Sequence, residues 1–308
     1  MDNIAIEVNR LRKSFGSLTA VKGIDLQIRD GELFSLLGPN GAGKTTTINM
    51  LCCLLRPTGG TATIMGYDIV HHPQRIKEFI GVCPQETAVS ERLNCYENLA
   101  LAGKAHDMDK AVLKQRSDEL LEIMGLTERS KEQVKRFSGG MKRRLNLIIA
   151  LVHDPPILFL DEPTLGLDPQ SRRAVWDYIA SLKGQKTILL TTHYMEEADA
   201  LSDRLAIIDE GQIVAQGSPA ELKATLWDRK TMVITTEGLS AAALDALRRE
   251  YPSMKVADEV VELSAPSLDL KEIVDCLHSR GVAVRSAFVK EPTLEDVFIS
   301  ITGKELRD

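Results

Sequence analysis

The sequence predicts an α/β fold, a mixed sheet core with helices, followed by a smaller α+β domain. Three observations predict it. Residues 33–37, 157–160 and 187–192 are short, near-continuous apolar runs, of the kind found in parallel strands covered on both faces. Helical spacing separates the last two, over residues 174–182, and alternation of strand with helix implies a parallel sheet. Beyond residues 220–229 the order becomes strand, helix, strand, strand, helix, strand.

The elements follow in turn. Residues 4–11, 20–28 and 32–38 read as strands; Ile4, Ile6 and Val8 alternate with polar neighbours, which suits a half-buried antiparallel strand. Residues 33–37 run straight into glycine, as a central strand feeding a loop does. Residues 45–55 read as a helix, closed by the turn signal Arg56-Pro57-Thr58-Gly59-Gly60. From 90 to 153, Leu99, Leu101, Val112, Leu120, Leu121, Ile123 and Met124 recur with charges between them, which predicts a mostly helical subdomain. Residues 205–208 and 212–215, on either side of Glu210-Gly211, predict a hairpin. The C-terminal pattern is strand 231–236, helix 240–250, strands 253–257 and 259–265, helix 268–280 and strand 282–289. That βαββαβ order is the ferredoxin-like arrangement. Two domains are therefore expected, 1–224 and 229–308.

Composition bounds the function. The formal net charge of −6 argues against a protein built to grip nucleic acid, which would carry a basic excess or stripe. The five cysteines, Cys52, Cys53, Cys83, Cys95 and Cys276, show no CxxC spacing and read as small buried hydrophobes. No apolar run approaches the roughly 18 residues that span a bilayer. MDNIAIEVNR lacks a signal-peptide core. A soluble chain is expected, with any membrane role exerted through a partner.

Three segments carry chemistry. The first is GPNGAGKT, residues 38–45, which fits G-x-x-x-x-G-K-[ST] between an apolar strand and a helix. Gly38, Gly41 and Gly43 let the backbone of Pro39, Asn40, Ala42 and Thr46 approach a triphosphate, and the helix start adds partial positive charge. Lys44 is expected to reach the β- and γ-phosphates and Thr45 to offer its hydroxyl to Mg²⁺. The second is PILFLDEP, residues 156–163. A carboxylate at the end of a buried strand can face that loop, with Asp161 holding Mg²⁺ and Glu162 polarising the attacking water as general base. The third is FSGGMKRRL, residues 137–145, where the Ser138 hydroxyl and the Gly139 and Gly140 amides start a second helix. Two phosphate-binding helix starts in one chain are explained if each site is completed by a second copy. Lys142, Arg143 and Arg144 form a local basic cluster, read either as an electrostatic attractor or as a solvated helix face.

At these residues the sequence closely resembles the nucleotide-binding subunits of ABC transporters, over residues 4 to about 220. The resemblance implies the P-loop ATPase fold of that family, with an antiparallel β subdomain and a helical subdomain, and ATP as the bound nucleotide. It implies adenine stacking by Phe15 and a Mg²⁺-touching role for Gln85, where the membrane subunit docks. Asp168, in Leu165-Gly166-Leu167-Asp168, resembles the segment that crosses the dimer interface. His193 resembles the switch histidine that contacts the γ-phosphate. The motif departs from the family's usual pattern at Phe137 and Met141 but keeps its serine and glycines. The tail, EPTLEDVFISITG, is similar to that of exporter ATPases of the daunorubicin-resistance type. The implied function is ATP hydrolysis by Glu162, His193 and Lys44 in a dimer of this chain, driving efflux through a separate membrane permease at the cytoplasmic face. An importer, or an ion transporter, is the alternative within transport. A soluble ABC ATPase would usually carry two cassettes or long insertions, and a GTP switch an NKxD motif; neither is found here.

Overall fold

A computed structural model describes residues 3–226, 230–239, 241–251, 254–265 and 268–303. The expected domain limits at 1, 229 and 308, and the element starts at 240 and 253, lie outside these residues. In chain order the elements are β1 (Ile4–Phe15), β2 (Leu18–Arg29), β3 (Leu33–Leu37), α1 (Lys44–Leu51), β4 (Gly59–Ile64), β5 (Tyr67–Asp68), α2 (Pro73–Lys77) and β6 (Ile80–Cys83). Next come α3 (Cys95–Ala105), α4 (Lys110–Ile123), α5 (Gly139–Leu151), β7 (Ile157–Asp161), α6 (Pro169–Ser181), β8 (Thr187–Thr192), α7 (Met195–Leu201), β9 (Arg204–Asp209) and β10 (Gln212–Gly217). The chain closes with α8 (Pro219–Ala224), β11 (Lys230–Glu237), α9 (Ala241–Glu250), β12 (Lys255–Ala257), β13 (Val260–Ala265), α10 (Leu270–His278), β14 (Ala283–Lys290) and α11 (Leu294–Thr302). It divides into two units, the first ending at Pro219 and the second beginning at Ala220.

The first unit rests on a six-stranded sheet in the order β10-β9-β3-β8-β7-β6, parallel except for β10. Every residue of β3, β7 and β8 is buried, as their near-continuous apolar runs lead one to expect. Alternation along these strands assigns side chains to two cores. Leu33, Leu158, Leu160, Ile188 and Leu190 face a cluster with Leu99, Leu120 and Leu145 of the helical region. Phe34, Leu36, Phe159 and Leu189 face the other cluster, shared with Ile6, Val8 and Leu11 of the antiparallel sheet β2-β1-β4-β5. The mixed core, antiparallel subdomain and helical subdomain are thus all present. All five cysteines are free, and Cys52, Cys83 and Cys95 are buried. Among the described residues, no helix is long and apolar enough to cross a membrane.

The structure also revises local expectations. The helix read over 45–55 stops at Leu51, because Cys53 turns left-handed (φ 57°) and the Leu54 and Leu55 amides both donate back to the Asn49 carbonyl. Gly59 and Gly60, read as turn residues, open β4. The edge strand β6 was not predicted; four residues, Ile80 to Cys83, leave no periodicity to detect.

In the second unit β11, α9, β12, β13, α10 and β14 follow the βαββαβ order read from the sequence, and α11 is an unpredicted addition. Its sheet is antiparallel in the order β12-β13-β11-β14. Met232, Ile234, Leu247, Val261, Leu263, Ile273 and Leu277 form its core.

Candidate nucleotide site

β3 lies between β8 and β9 and delivers the loop 38–43 at the carboxyl edge of the sheet, where ligands of open α/β sheets sit. Two glycines are fixed by the chain's own packing. A Cβ on Gly38 would lie 2.1 Å from the Ile208 carbonyl oxygen. One on Gly43, whose φ is +102°, would lie 2.6 Å from that of Ala20. Gly43 caps α1 with no side chain, so the first-turn amides keep their donors for a ligand. A concave space of about 450 Å³ lies over this loop, lined by residues 39–46 with Ala20, Gln85 and Glu162.

The buried ammonium of Lys44 donates to the carbonyls of Gly38 (2.7 Å) and Pro39 (3.1 Å) and pairs with Glu162 Oε1 at 3.2 Å. Glu162 Oε2 accepts from His193 Nδ1 at 2.5 Å. Three residues that follow three neighbouring strands, β3, β7 and β8, therefore form one chain, Lys44–Glu162–His193. Glu162 is held at a cost: its φ of 52° is left-handed, a conformation non-glycine residues rarely adopt. Its amide is fixed by the Thr191 carbonyl and hydroxyl oxygens, at 3.1 and 3.2 Å.

Beside this chain sits a cluster of oxygen donors. Parallel pairing sets Asp161 level with Thr191, whose hydroxyl donates to Asp161 Oδ1. Thr45 Oγ1 lies 3.2 Å from the same oxygen and 3.5 Å from Gln85 Oε1. A hydroxyl, a carboxylate and an amide oxygen from three elements converge on one point, the hard-oxygen set that suits Mg²⁺.

Other expected site residues stand apart from the concave space. Phe15 ends β1 and is 49% exposed, outside either hydrophobic core; the Lys13 ammonium lies 5.1 Å from its ring centre. Ser138 is exposed and caps α5, accepting from the Met141 amide at 3.2 Å, with Gly139 and Gly140 as the first two helical residues. Asp168 caps α6 by accepting from the Ser171 amide at 2.9 Å, and that backbone bond holds its carboxyl below the usual range. Leu167 reaches the start of α5, where a Cβ on Gly140 would lie 3.2 Å from its Cδ2. None of Phe15, Ser138, Gly139, Gly140, Asp168 or His193 lines the space over the loop.

The basic cluster 142–144 is neither an attractor nor a solvated face. Lys142 pairs with Glu91, and Arg144 donates to the Met124 carbonyl at 2.7 Å. Arg143 is buried and bonded to carbonyls at the ends of β6 and β7. The missed signal was spacing: Arg143 stands on the helical stripe of Asn146, Leu147, Ala150 and Leu151, all buried. Thr191 and Glu197 were also passed over, since a threonine inside an apolar strand and a glutamate in an acidic helix start carry no local signal.

Comparison with known proteins places this arrangement. The sequence profile of the ABC transporter family matches residues 21–165. A daunorubicin resistance ATP-binding protein of Streptomyces coeruleorubidus is 40% identical over 100% of this chain and 98% of its own length. The chain belongs to the ABC transporter family. The linearmycin resistance ATP-binding protein of Bacillus subtilis is 38% identical, over 98% of this chain and all of its own. A Nod factor export ATP-binding protein of Cupriavidus pinatubonensis is also 38% identical, with 98% and 92% covered. Among solved structures, an ABC transporter ATP-binding subunit superimposes with a TM-score of 0.67 at 29% identity, over 80% of this chain and 98% of its own. An ATP-binding cassette in a dimeric post-hydrolysis state with ADP and Pi gives 0.65 at 26%, over 69% and 98%. As a member of this family the chain is an ATP-binding protein with ATPase activity.

Proposed function

We propose that two copies of this ABC ATPase close on two ATP molecules and drive export of a drug, lipid-like or other small substrate through a separate membrane permease. The observation that carries this reading is the Lys44–Glu162–His193 chain beside the Thr45–Asp161–Gln85 oxygens. The names of the relatives, resistance and export proteins, support the direction of transport. The protein would work at the cytoplasmic face of the membrane, held there by the permease. Residues 1–224 would form the nucleotide-binding domain and 229–308 an accessory domain.

The geometry supports the following roles. Lys44 answers the charge of Glu162; a triphosphate on the loop 38–46 brings competing negative charge, so Lys44 turns to the β- and γ-phosphates and frees one carboxylate oxygen. Glu162 then takes the proton of the attacking water as its oxygen bonds to the γ-phosphorus and the bond to the β-phosphate oxygen breaks. The products are ADP and phosphate. His193, bonded to the other oxygen, holds the carboxylate in place and faces the γ-phosphate. Thr45, Asp161 and Gln85 would hold Mg²⁺, which when bound neutralises charge on the phosphates. Phe15 stacks on adenine. Ser138, Gly139, Gly140 and Asp168 act on the nucleotide of the second copy.

The test is Glu162→Gln. The amide keeps the shape but cannot take the proton, so turnover should fall about 10²- to 10⁴-fold, the range of a lost general base. ATP should still bind, and light scattering with ATP and Mg²⁺ should show a stable dimer. A variant that binds ATP yet stays monomeric would sink the two-copy reading.

A further inference from the structure

The helix α5 has two faces of different character. Its start, Ser138 to Gly140, is exposed or half-exposed and lines no part of the space over the loop 38–46. One turn on, Arg143 is only 4% exposed and its guanidinium donates to five main-chain carbonyls. Nη1 reaches Pro84 (2.8 Å) and Gln85 (2.6 Å), Nη2 reaches Asp161 (2.6 Å) and Glu162, and Nε reaches Pro163 (3.1 Å). A guanidinium has five N–H donors, so these acceptors saturate it. None of the five is a carboxylate: the buried charge is offset by carbonyl dipoles at the ends of two neighbouring strands, β6 and β7. Asn146, one turn further and 1% exposed, repeats the grip on the first of these segments. Its Nδ2 donates to the Pro84 carbonyl at 3.1 Å and its Oδ1 accepts from the Ala88 amide at 3.0 Å.

We propose that Arg143 is a positioning residue that fixes the Gln85 and Glu162 backbones to α5, and so ties the catalytic carboxylate of one site to the helix start that completes the other. This rests on the two-copy reading above. A planar fork with all donors engaged has one geometry, and a lysine cannot reproduce it. When the start of α5 is pulled onto the partner's nucleotide, the carbonyls of Gln85, Asp161 and Glu162 must follow or five bonds must break. Glu162 already sits in a strained left-handed conformation, so a small shift of its carbonyl re-aims its carboxylate. Each site then reports its occupancy to the other through one side chain.

The experiment uses the full chain with Arg143→Lys, which keeps the buried charge but loses the fork. With folding checked by thermal melting, its affinity for a fluorescent ATP analogue should stay within about threefold of the parent. Its kcat should fall about tenfold or more, and the Hill coefficient of ATPase against ATP should drop toward one. Unchanged kcat and Hill coefficient would overturn the proposal; so would a parallel loss of affinity, which marks mere local unfolding. A second measurement leaves Arg143 untouched. In mixtures of parent and Gly139→Asp chains, coupled sites make ATPase fall with the square of the parent fraction. A linear fall means independent sites and overturns the proposal even if Arg143→Lys does not fold. The Glu162→Gln dimer separates the two readings. If it forms while Arg143→Lys behaves as the parent, only the role of Arg143 fails; if it does not form, the two-copy reading fails first.

Discussion

The two helix starts that the sequence marks as anion sites, at Lys44 and at Gly139, are built alike and finished differently. Both follow a short loop and present amides at a helix N-terminus. At α1 the chain supplies everything else itself: a buried lysine, a hydroxyl, two carboxylates and glycines that its own backbone demands. At α5 it supplies almost nothing. Ser138 Oγ accepts from the Met141 amide, which leaves only its O–H to offer, and the three basic side chains that follow turn away to Glu91, the Met124 carbonyl and the five carbonyls around Arg143. Gly139 makes the point most simply. Its φ is not left-handed, and a Cβ there would meet no atom within 4 Å. Among the described residues nothing requires glycine at that position. The requirement, if the two-copy reading holds, lies on the other chain.

That contrast can be broken, and Gly139→Asp is the sharpest attempt. Space is available, and a carboxylate in the first turn of a helix favours the dipole, so the isolated chain should melt no lower than the parent. The same charge would face the γ-phosphate of a second copy. ATPase turnover should fall about 100-fold or more, the scale of a lost transition-state contact turned repulsive. Nucleotide affinity of the single chain should stay within about twofold. A variant with parental turnover would mean that α5 completes no site.

Lys44→Ala strikes the other start and should lower the nucleotide affinity that Gly139→Asp spares. The cation that bonds the loop carbonyls is lost, and Glu162 is left beside the phosphates without its partner. Charge-assisted bonds are worth roughly 1.5–3 kcal/mol, so ATP affinity should drop about 10- to 100-fold in titrations on a single chain. Binding at parental strength would remove Lys44 from the phosphate site.

The same contrast explains what could be read from the sequence. The loop 38–45 was legible because its chemistry is contiguous: eight residues between a strand and a helix carry the whole motif. Its meeting with Glu162 and His193 was legible only as an expectation, since pairing of β3, β7 and β8 brings together residues more than a hundred positions apart. Arg143 was misread because clustered charge signals solvent, whereas its place on the stripe of Asn146, Leu147 and Ala150 signals burial. Where local geometry rather than pattern decides, as at left-handed Cys53 ending α1 early, sequence offers little warning.

Glu197 carries the smallest effect and tests how the segment leading to Asp168 is held. Its buried carboxylate accepts from Thr164 Oγ1 (2.7 Å) and Trp176 Nε1 (2.8 Å), joining α7, α6 and the turn that leads to Asp168. Burial raises its pKa, and hydrogen bonds from Thr192, Thr164 and Trp176 offset this only in part. A carboxyl raised in the folded state contributes stability that is present below the usual carboxylate range and lost as pH rises through the folded value. Glu197→Gln keeps an acceptor for both donors and removes the charge. The variant should therefore gain on the parent as pH climbs from 4 to 8. Its Tm should end roughly 2–4 °C higher, the shift that about 1 kcal/mol produces in a domain of this size. The melting curves of the two proteins should converge at the acid end. If instead the variant melts lower at pH 8 than at pH 4 relative to the parent, the ionised form of Glu197 is the stabilising one, and its bonds to Thr164 and Trp176 outweigh its burial.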